Sequence, residues 1–398
     1  MPEVLECWLH GDHVGRFERQ TSRAARLVYD ADATRVVSLS LPIDAPAPDG
    51  AAEHYLRGLL PEDPVALRDM MRASGAASTD AFELLRQVGG DVAGAVQLTA
   101  PGSEPGSDPD HEPLIASTAD IGARIAGIKA RPTAFAGDWP LRFSLAGVQA
   151  KFALARIGGS WYRPDAQTPS THIVKPGAAR NKHIEAFEAR AMDLVRRAGF
   201  AVPRARVAHF DDQSAYVVER FDRELMPSGF SRRLHVEDLQ QALGRDPEGK
   251  YLTSPADAIA LLRRHDSELA YCFVEQLAIN TAIGNADAHA KNYGIMLDNE
   301  PRLSPLYDLV PLGAYPQYSQ RLTMPIGSRR HTGNITLKDW NALAVDCDLE
   351  PDHVVNIVSD VNQRLSSQLE PAFGEFAARH SNLGKALRQM QRYMARNI

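Results

Sequence analysis

Long hydrophobic runs are missing from this 398-residue chain. None approaches the roughly 20 residues that a membrane helix needs, so no membrane span is expected. Cysteine is scarce: Cys7, Cys272 and Cys347 lie far apart without paired spacing. That excludes a disulfide scaffold and a cysteine-based zinc site, and it points to a reducing cytoplasm. An excess of positive charge is also lacking. The net charge of −6 argues against a surface built throughout to hold nucleic acid, and leaves room only for a local basic patch. The N-terminal stretch MPEVLECWLHGDHVGRF carries acids early and alternates like a strand, so no signal peptide is expected. The apolar content of 44% and charged content of 24% are those of a globular chain, and the length suits two or three domains.

The pattern changes along the chain. Residues 4–10 and 14–18 flank Gly11-Asp12-His13 as a hairpin, and residues 25–40 hold further short β-type runs. Residues 51–100 read as mostly helical, with the glycines at 89, 90 and 94 serving turns and close backbone packing. The stretch TAPGSEPGSDPDHEP, ending at Pro113, cannot bury a core and reads as a mobile linker. Beyond it, strand-like runs over 141–157 and 160–163 join at Gly158-Gly159, and 171–175 is a further short strand. A helix is expected from Ile184 to Ala198, stopped by Gly199, followed by paired strands at 206–210 and 214–221. From Val236 onward helical periodicity dominates. Ser267 to Ile283 is apolar enough to be the centre of a helical lobe, and helices are expected at 351–378 and 382–396. These boundaries define an N-terminal subdomain (1–100), a flexible linker (101–113), a β-rich small lobe (114–223) and a helical large lobe (224–398). The fold class expected is α+β, a bilobal protein-kinase-like fold with an extra N-terminal subdomain.

The chemistry is concentrated after the apolar helix. Asp287 is followed five positions on by Asn292, and Asp308 lies in the apolar run LSPLYDLV. An Asp that orients a hydroxyl and accepts its proton, with an Asn and a second Asp holding Mg²⁺ against nucleotide phosphates, is a phosphotransfer centre. Magnesium takes hard oxygen ligands and only one or two carboxylates beside the phosphates, which suits Asn292 with Asp308. Lys175 ends a small-lobe strand, where a kinase keeps the lysine that contacts phosphates, and Glu188 on the next helix is its candidate ion-pair partner. Between strands, the small residues of SLAGVQAK, from Ser144 to Lys151, would let backbone N–H groups approach phosphate, with Lys151 as countercharge. Glu219, Arg220 and Phe221 stand where the small lobe hands over to the large one, and their backbone could meet an adenine edge. Asp222-Arg223 reads as a turn pair. His289 reads as a structural hydrogen-bonder, since Asp287 already occupies the base position.

In this order, SLAGVQAK (144–151), THIVK (171–175), VERFDR (218–223), DAHAKN (287–292) and Tyr307-Asp308 resemble the kinase core of the HipA family. That family comprises serine/threonine-protein kinase toxins of bacterial type II toxin–antitoxin modules. YLRGLLPE (55–62) and residues 88–98 resemble its N-terminal subdomain. The resemblance implies Asp287 as catalytic base and Asn292 with Asp308 as magnesium ligands. It implies an ATP site lined by Ala146, Gly147, Val148, Gln149, Ala150, Lys151, Lys175, Glu219, Arg220, Phe221, His289, Ala290, Lys291, Asn292, Tyr307 and Asp308. Ser144 falls on the family's autophosphorylated serine. A phosphate there adds roughly −1.5 to −2 charges in a loop expected to face ATP, so phosphorylation should eject the loop and switch the kinase off. Also implied are an aminoacyl-tRNA synthetase substrate, typically glutamyl-tRNA synthetase, with translation inhibited and growth arrested in a drug-tolerant, persistent state. The implied partners are a helix-turn-helix (HipB-like) antitoxin and, through it, operator DNA, where the pair acts as corepressor. Two other readings share some of these residues: a small-molecule phosphotransferase of the aminoglycoside or choline kinase type, and an inactive DNA-bound corepressor.

Overall fold

A computed structural model describes residues 3–19, 25–131, 144, 149–177, 181–227 and 229–398. In chain order the elements are β1 (Glu3–Leu9), β2 (Asp12–Arg19), β3 (Ala25–Tyr29), α1 (Ala51–Gly58), α2 (Pro64–Ser74), α3 (Ala81–Val88), β4 (Val96–Thr99) and α4 (Thr118–Ala130). There follow β5 (Phe152–Ile157), β6 (Ser160–Tyr162), β7 (His172–Pro176), α5 (Ile184–Arg197), β8 (Ala205–Phe210), β9 (Gln213–Glu219), β10 (Arg223–Leu225), β11 (Ser231–Arg233), β12 (Val236–Asp238) and α6 (Leu239–Ala242). The last third holds α7 (Pro255–Arg263), α8 (Ser267–Ile283), β13 (Gly294–Met296), β14 (Arg302–Leu303), α9 (Leu337–Asp346), α10 (Pro351–Arg379) and α11 (Ser381–Met394). Two compact units result: residues 1–182 with 206–249 and 295–300, and residues 183–205 with 250–294 and 301–398. No helix among the described residues is long and apolar enough to cross a membrane.

The first unit has two larger sheets and the two-stranded β10–β11 ribbon. One is antiparallel in the order β3-β2-β1-β4; the other runs β6-β5-β7-β9-β8. Alternation decides the inner face of β1, where Leu5, Cys7 and Leu9 are buried while Val4, Glu6 and Trp8 between them are only half-buried. The β5–β6 hairpin turns through Gly158 and Gly159, both at positive φ (57° and 90°), as a two-residue turn of this hand requires. One core runs through the unit, from Leu5 and Phe17 through Leu56, Phe82 and Leu85 to Ile125, Phe152, Val174 and Val217. Several elements differ from expectation, among them the short strands β10, β11 and β12, which stand where the helical lobe was expected to begin at residue 224. Within 51–100, three helices are joined by β4, whose Val96 and Leu98 alternate inward. A four-residue run containing Gln97 is too short to announce a strand. Helix α4 was not anticipated either, because Gly122 and Gly127 dilute its helical pattern. A reciprocal cap supports its start, with Asp120 N–H donating to Ser117 Oγ (3.1 Å) and Ser117 N–H to Asp120 Oδ2 (3.0 Å).

Asp222 and Arg223, read above as a turn pair, are part of a buried ionic cluster. Arg220 donates to both Asp222 oxygens (2.9 and 2.6 Å), and Arg223 donates to Asp222 (3.0 Å) and Asp91 (2.9 Å). Ser170 N–H reaches the other Asp91 oxygen at 3.1 Å, and Gly94 N–H reaches Asp222 Oδ2 at 2.8 Å. Gly94 has φ +78°, and a Cβ there would lie 2.7 Å from the Val236 carbonyl oxygen, so a side chain is barred. The flanking arginines hold both carboxylates below the usual range although burial opposes this. A second attachment uses Glu237, whose carboxylate accepts from Ser38 Oγ and from Leu39 N–H (2.8 Å). Burial pushes that acid up to about 8.

In the second unit, α10 packs against α5, α8, α9 and α11. Its stripe Val354, Val358, Val361, Leu365 and Leu369 recurs every three or four residues and is buried. Helix α8 spans the residues expected, and its second half, from Gln276 to Ile283, is buried all round, as a central helix requires. Asp91→Ala should strip two buried arginines of their carboxylate and cost about 3–5 kcal/mol; chemical denaturation of the purified variant beside the wild type measures it.

Candidate active site

The loop after α8 is positioned by polar rungs on that apolar helix. Gln276 Nε2 donates to the Ser304 carbonyl (2.7 Å), and Asn280 Nδ2 donates to the Gln276 carbonyl (3.1 Å). Just past the helix, Asn285 Nδ2 donates both to Asn280 Oδ1 (2.8 Å) and to the Asp308 carbonyl (2.9 Å). Buried polar groups are expensive unless satisfied, so these three side chains determine where the loop and the 304–308 segment run. None of the three was singled out from the sequence, although polar residues spaced four apart in an apolar helix are a usable signal.

Within the loop, Asp287 is exposed while its neighbours Ala286 and Ala288 are buried. The carbonyls on either side of it are pinned by one residue. Thr323 N–H donates to Ala286 O (3.0 Å), and Thr323 Oγ1 donates to Ala288 O (2.7 Å). The carboxylate is therefore presented to solvent from a held backbone. Asn292 Nδ2 donates to Asp308 Oδ2 (3.0 Å), and His289 N–H donates to Asn292 Oδ1 (3.1 Å). Tyr307 OH donates to the Lys291 carbonyl at 2.7 Å. Asp308 sits at φ +59°, a region that non-glycine residues seldom occupy and that costs strain unless the surroundings impose it. His289, Ala290, Lys291 and Asn292 are all buried. Burial, and next the Lys250 ammonium, lower the His289 imidazole to about 3, so it is neutral at physiological pH and cannot serve as a proton donor there.

The remaining sequence candidates belong to the first unit. Lys175 is buried on β7, opposite Tyr216 of β9, with its ammonium 5.5 Å from that ring's centre. Lys151 and Ala150 are half-buried and Gln149 is exposed, whereas Ala146, Gly147 and Val148 lie outside the described residues. Ser144 is fully buried, its hydroxyl donating to the Leu59 carbonyl (2.7 Å) and its N–H to the Asp91 carbonyl (3.0 Å). Glu219 is exposed and Phe221 half-buried. Arg220 is different: its N–H donates to the Thr171 carbonyl (2.8 Å) and its guanidinium is committed to Asp222, Ser170 and Val92. Its side chain serves the ionic cluster. Glu188 on α5, in the second unit, is buried.

An exposed Asp on a clamped loop thus lies five residues before the Asn of an Asn–Asp pair, and comparison with known proteins gives the family. Residues 5–99 match the model of the HipA N-terminal domain, and residues 143–369 match that of the HipA-like C-terminal domain. The chain is 34% identical over 388 residues to "Putative kinase Y4mE" of Sinorhizobium fredii, covering 92% of each. It is 29% identical over 310 residues to the serine/threonine-protein kinase toxin HipA of Shewanella oneidensis, covering 73% of this chain and 70% of that one. Its fold is similar to a chain of the Shewanella oneidensis MR-1 complex of HipA, HipB and operator DNA. The TM-score is 0.83 at 24% identity, with 99% of this chain and 96% of that one covered. The fold is thus the α+β, bilobal, protein-kinase-like one expected from the sequence. The chain belongs to the HipA family of kinase toxins.

Because the His289 pKa is depressed from 6.5 to about 3, its ring carbon NMR shifts should stay flat between pH 5 and 8. The unfolded chain takes up that proton first, so this residue's share of stability is present above about pH 6.5 and is lost as the pH falls towards 3. A ring titrating near neutrality would contradict this.

Proposed function

We propose that this chain is an ATP- and Mg²⁺-dependent serine/threonine-protein kinase acting as the toxin of a toxin–antitoxin pair. The observation that carries the reading is the 3.0 Å pairing of Asn292 with Asp308 beside the exposed, backbone-clamped Asp287. Asn292 Oδ1 accepts from His289 N–H, and a carbonyl oxygen keeps a second lone pair for a cation. One carboxamide oxygen and one carboxylate fit a magnesium ion that draws its other ligands from phosphates and water. Bound there, Mg²⁺ would neutralise charge building on the transferred phosphoryl group.

The chain's own residues supply the rest. Asp287 orients the acceptor hydroxyl. The hydroxyl oxygen attacks the γ-phosphorus, the bond to the ADP oxygen breaks, and the hydroxyl proton passes to the Asp287 carboxylate. Neutral His289 does not compete for that proton. Lys175 and Lys151 offer ammonium groups to the phosphates, the role the family resemblance gives them. Backbone groups at Glu219 and Phe221 meet the adenine edge, and Ala290, Lys291 and Tyr307 complete the lining.

The family relationship supports an aminoacyl-tRNA synthetase, such as glutamyl-tRNA synthetase, as the substrate. Its phosphorylation would inhibit translation and produce growth arrest and persistence. It equally supports a HipB-like helix-turn-helix antitoxin as partner, and corepression at operator DNA through that partner, all in the cytoplasm. Burial of Ser144 bears on its role as the autophosphorylation site. A phosphate cannot be accommodated where its hydroxyl meets the Leu59 carbonyl, so modification requires the segment to leave this position and inactivates the kinase.

Asp287→Ala should abolish phosphate transfer from labelled ATP and growth arrest on expression while the circular dichroism spectrum is unchanged; persisting toxicity refutes the assignment. Ser144→Asp, a charge in the buried position, should lower ATP affinity at least about tenfold, about 1.4 kcal/mol, by calorimetry. Wild-type affinity in that variant would remove Ser144 from the control of the site.

A further inference from the structure

We infer that Tyr251 and Leu252 seat an apolar side chain flanking the phosphoacceptor serine or threonine of the protein substrate, an inference that rests on the kinase reading above. The Tyr251 ring stands edge-on to the His289 ring, centre to centre 5.2 Å, and His289 is two positions from Asp287. Two residues span at most about 7 Å, so this tyrosine lies within about four residues' length of extended acceptor chain from the base. Leu252 follows with 85% of its surface exposed, and Tyr251 is 47% exposed.

A lone exposed leucine is unremarkable. This one sits on a fixed support beside a catalytic loop. Lys250 and Thr253 on either side are buried at 4% and 2% exposure. The Lys250 ammonium lies 5.1 Å from the Tyr251 ring centre. Just beyond, Ser254 caps α7 by exchanging hydrogen bonds with Asp257 (2.9 and 3.2 Å). A ring and an aliphatic side chain carried on a backbone anchored at both ends lose less entropy on binding than they would from a free loop. Next to a base that must receive a serine or threonine hydroxyl, the chemistry they offer is contact with an apolar residue of the same chain. A small-molecule acceptor would leave them unused.

The test is an oriented peptide library with a fixed central serine or threonine, phosphorylated by the full-length protein with ATP and Mg²⁺. Wild type should prefer an aliphatic or aromatic residue within four positions of the acceptor. Leu252→Asp, on a surface position that folding does not need, should lower that preference at least about tenfold, the discrimination one apolar side chain provides, and favour a basic residue at the same position. Calorimetry should show its nucleotide affinity unchanged. Phosphorylation without apolar preference, or a preference that Leu252→Asp leaves intact, overturns the inference while the kinase reading stands. Loss of nucleotide affinity in Leu252→Asp also overturns it, by giving the segment to the nucleotide. No phosphorylation of any peptide by the wild type removes both the acceptor seat and its kinase premise.

Discussion

The Asp91 carboxylate, wholly removed from water, is the constraint around which the first unit is arranged. Charges taken from solvent are costly unless matched, and here two aspartates meet three arginines. The match draws on residues far apart in the chain: Asp91 after α3, Ser170 before β7, Arg220 and Asp222 after β9, Arg223 on β10 and Arg233 on β11. None of these segments can shift without leaving a buried charge exposed to its neighbours. Gly94 contributes by having no side chain, which lets its N–H reach Asp222. The N-terminal strands and helices thereby share one core with the sheet that carries Lys175.

The second unit solves a related problem with neutral groups. Gln276, Asn280 and Asn285 form a chain of amides from the central helix to the backbone of Ser304 and Asp308. This arrangement holds Asp308 in a strained conformation and aims its carboxylate at Asn292. The two acidic positions of the site are therefore set by side chains that have no part in the chemistry. Thr323 does the same for the loop bearing Asp287.

Much of this was legible from residue order, and the exceptions have physical causes. The spacing of Asp287, Asn292 and Asp308 pointed to one loop and one following segment, and the structure pairs Asn292 with Asp308. Helix α8 is unmistakable because its apolar residues outnumber its polar ones. The glycines at 89, 90 and 94 were legible as close-packing positions, and added Cβ atoms at 89 and 90 would meet neighbours at 2.4 and 2.8 Å. The ionic cluster was not legible. Asp222-Arg223 looks like an ordinary polar turn, since nothing local reveals that Asp91 waits more than a hundred residues upstream. Arg220 was placed at the adenine edge through its backbone, and nothing local reveals that its side chain joins the cluster. Amide rungs inside α8 were hidden by the strength of the apolar signal around them, and β4 by its brevity.

Glu237 gives the first unit an unusual dependence on acidity. An acid raised from 4.5 to about 8 lends its stability in full below about pH 4.5 and withdraws it as the pH rises from there through about 8. Asp91 and Asp222, depressed below 3.8, behave oppositely and fail only in strong acid. One joint thus loosens as the pH climbs from 4.5 towards 8 and the other as it falls below 3.8, so the N-terminal segment is clasped most firmly in the acidic band between those two values.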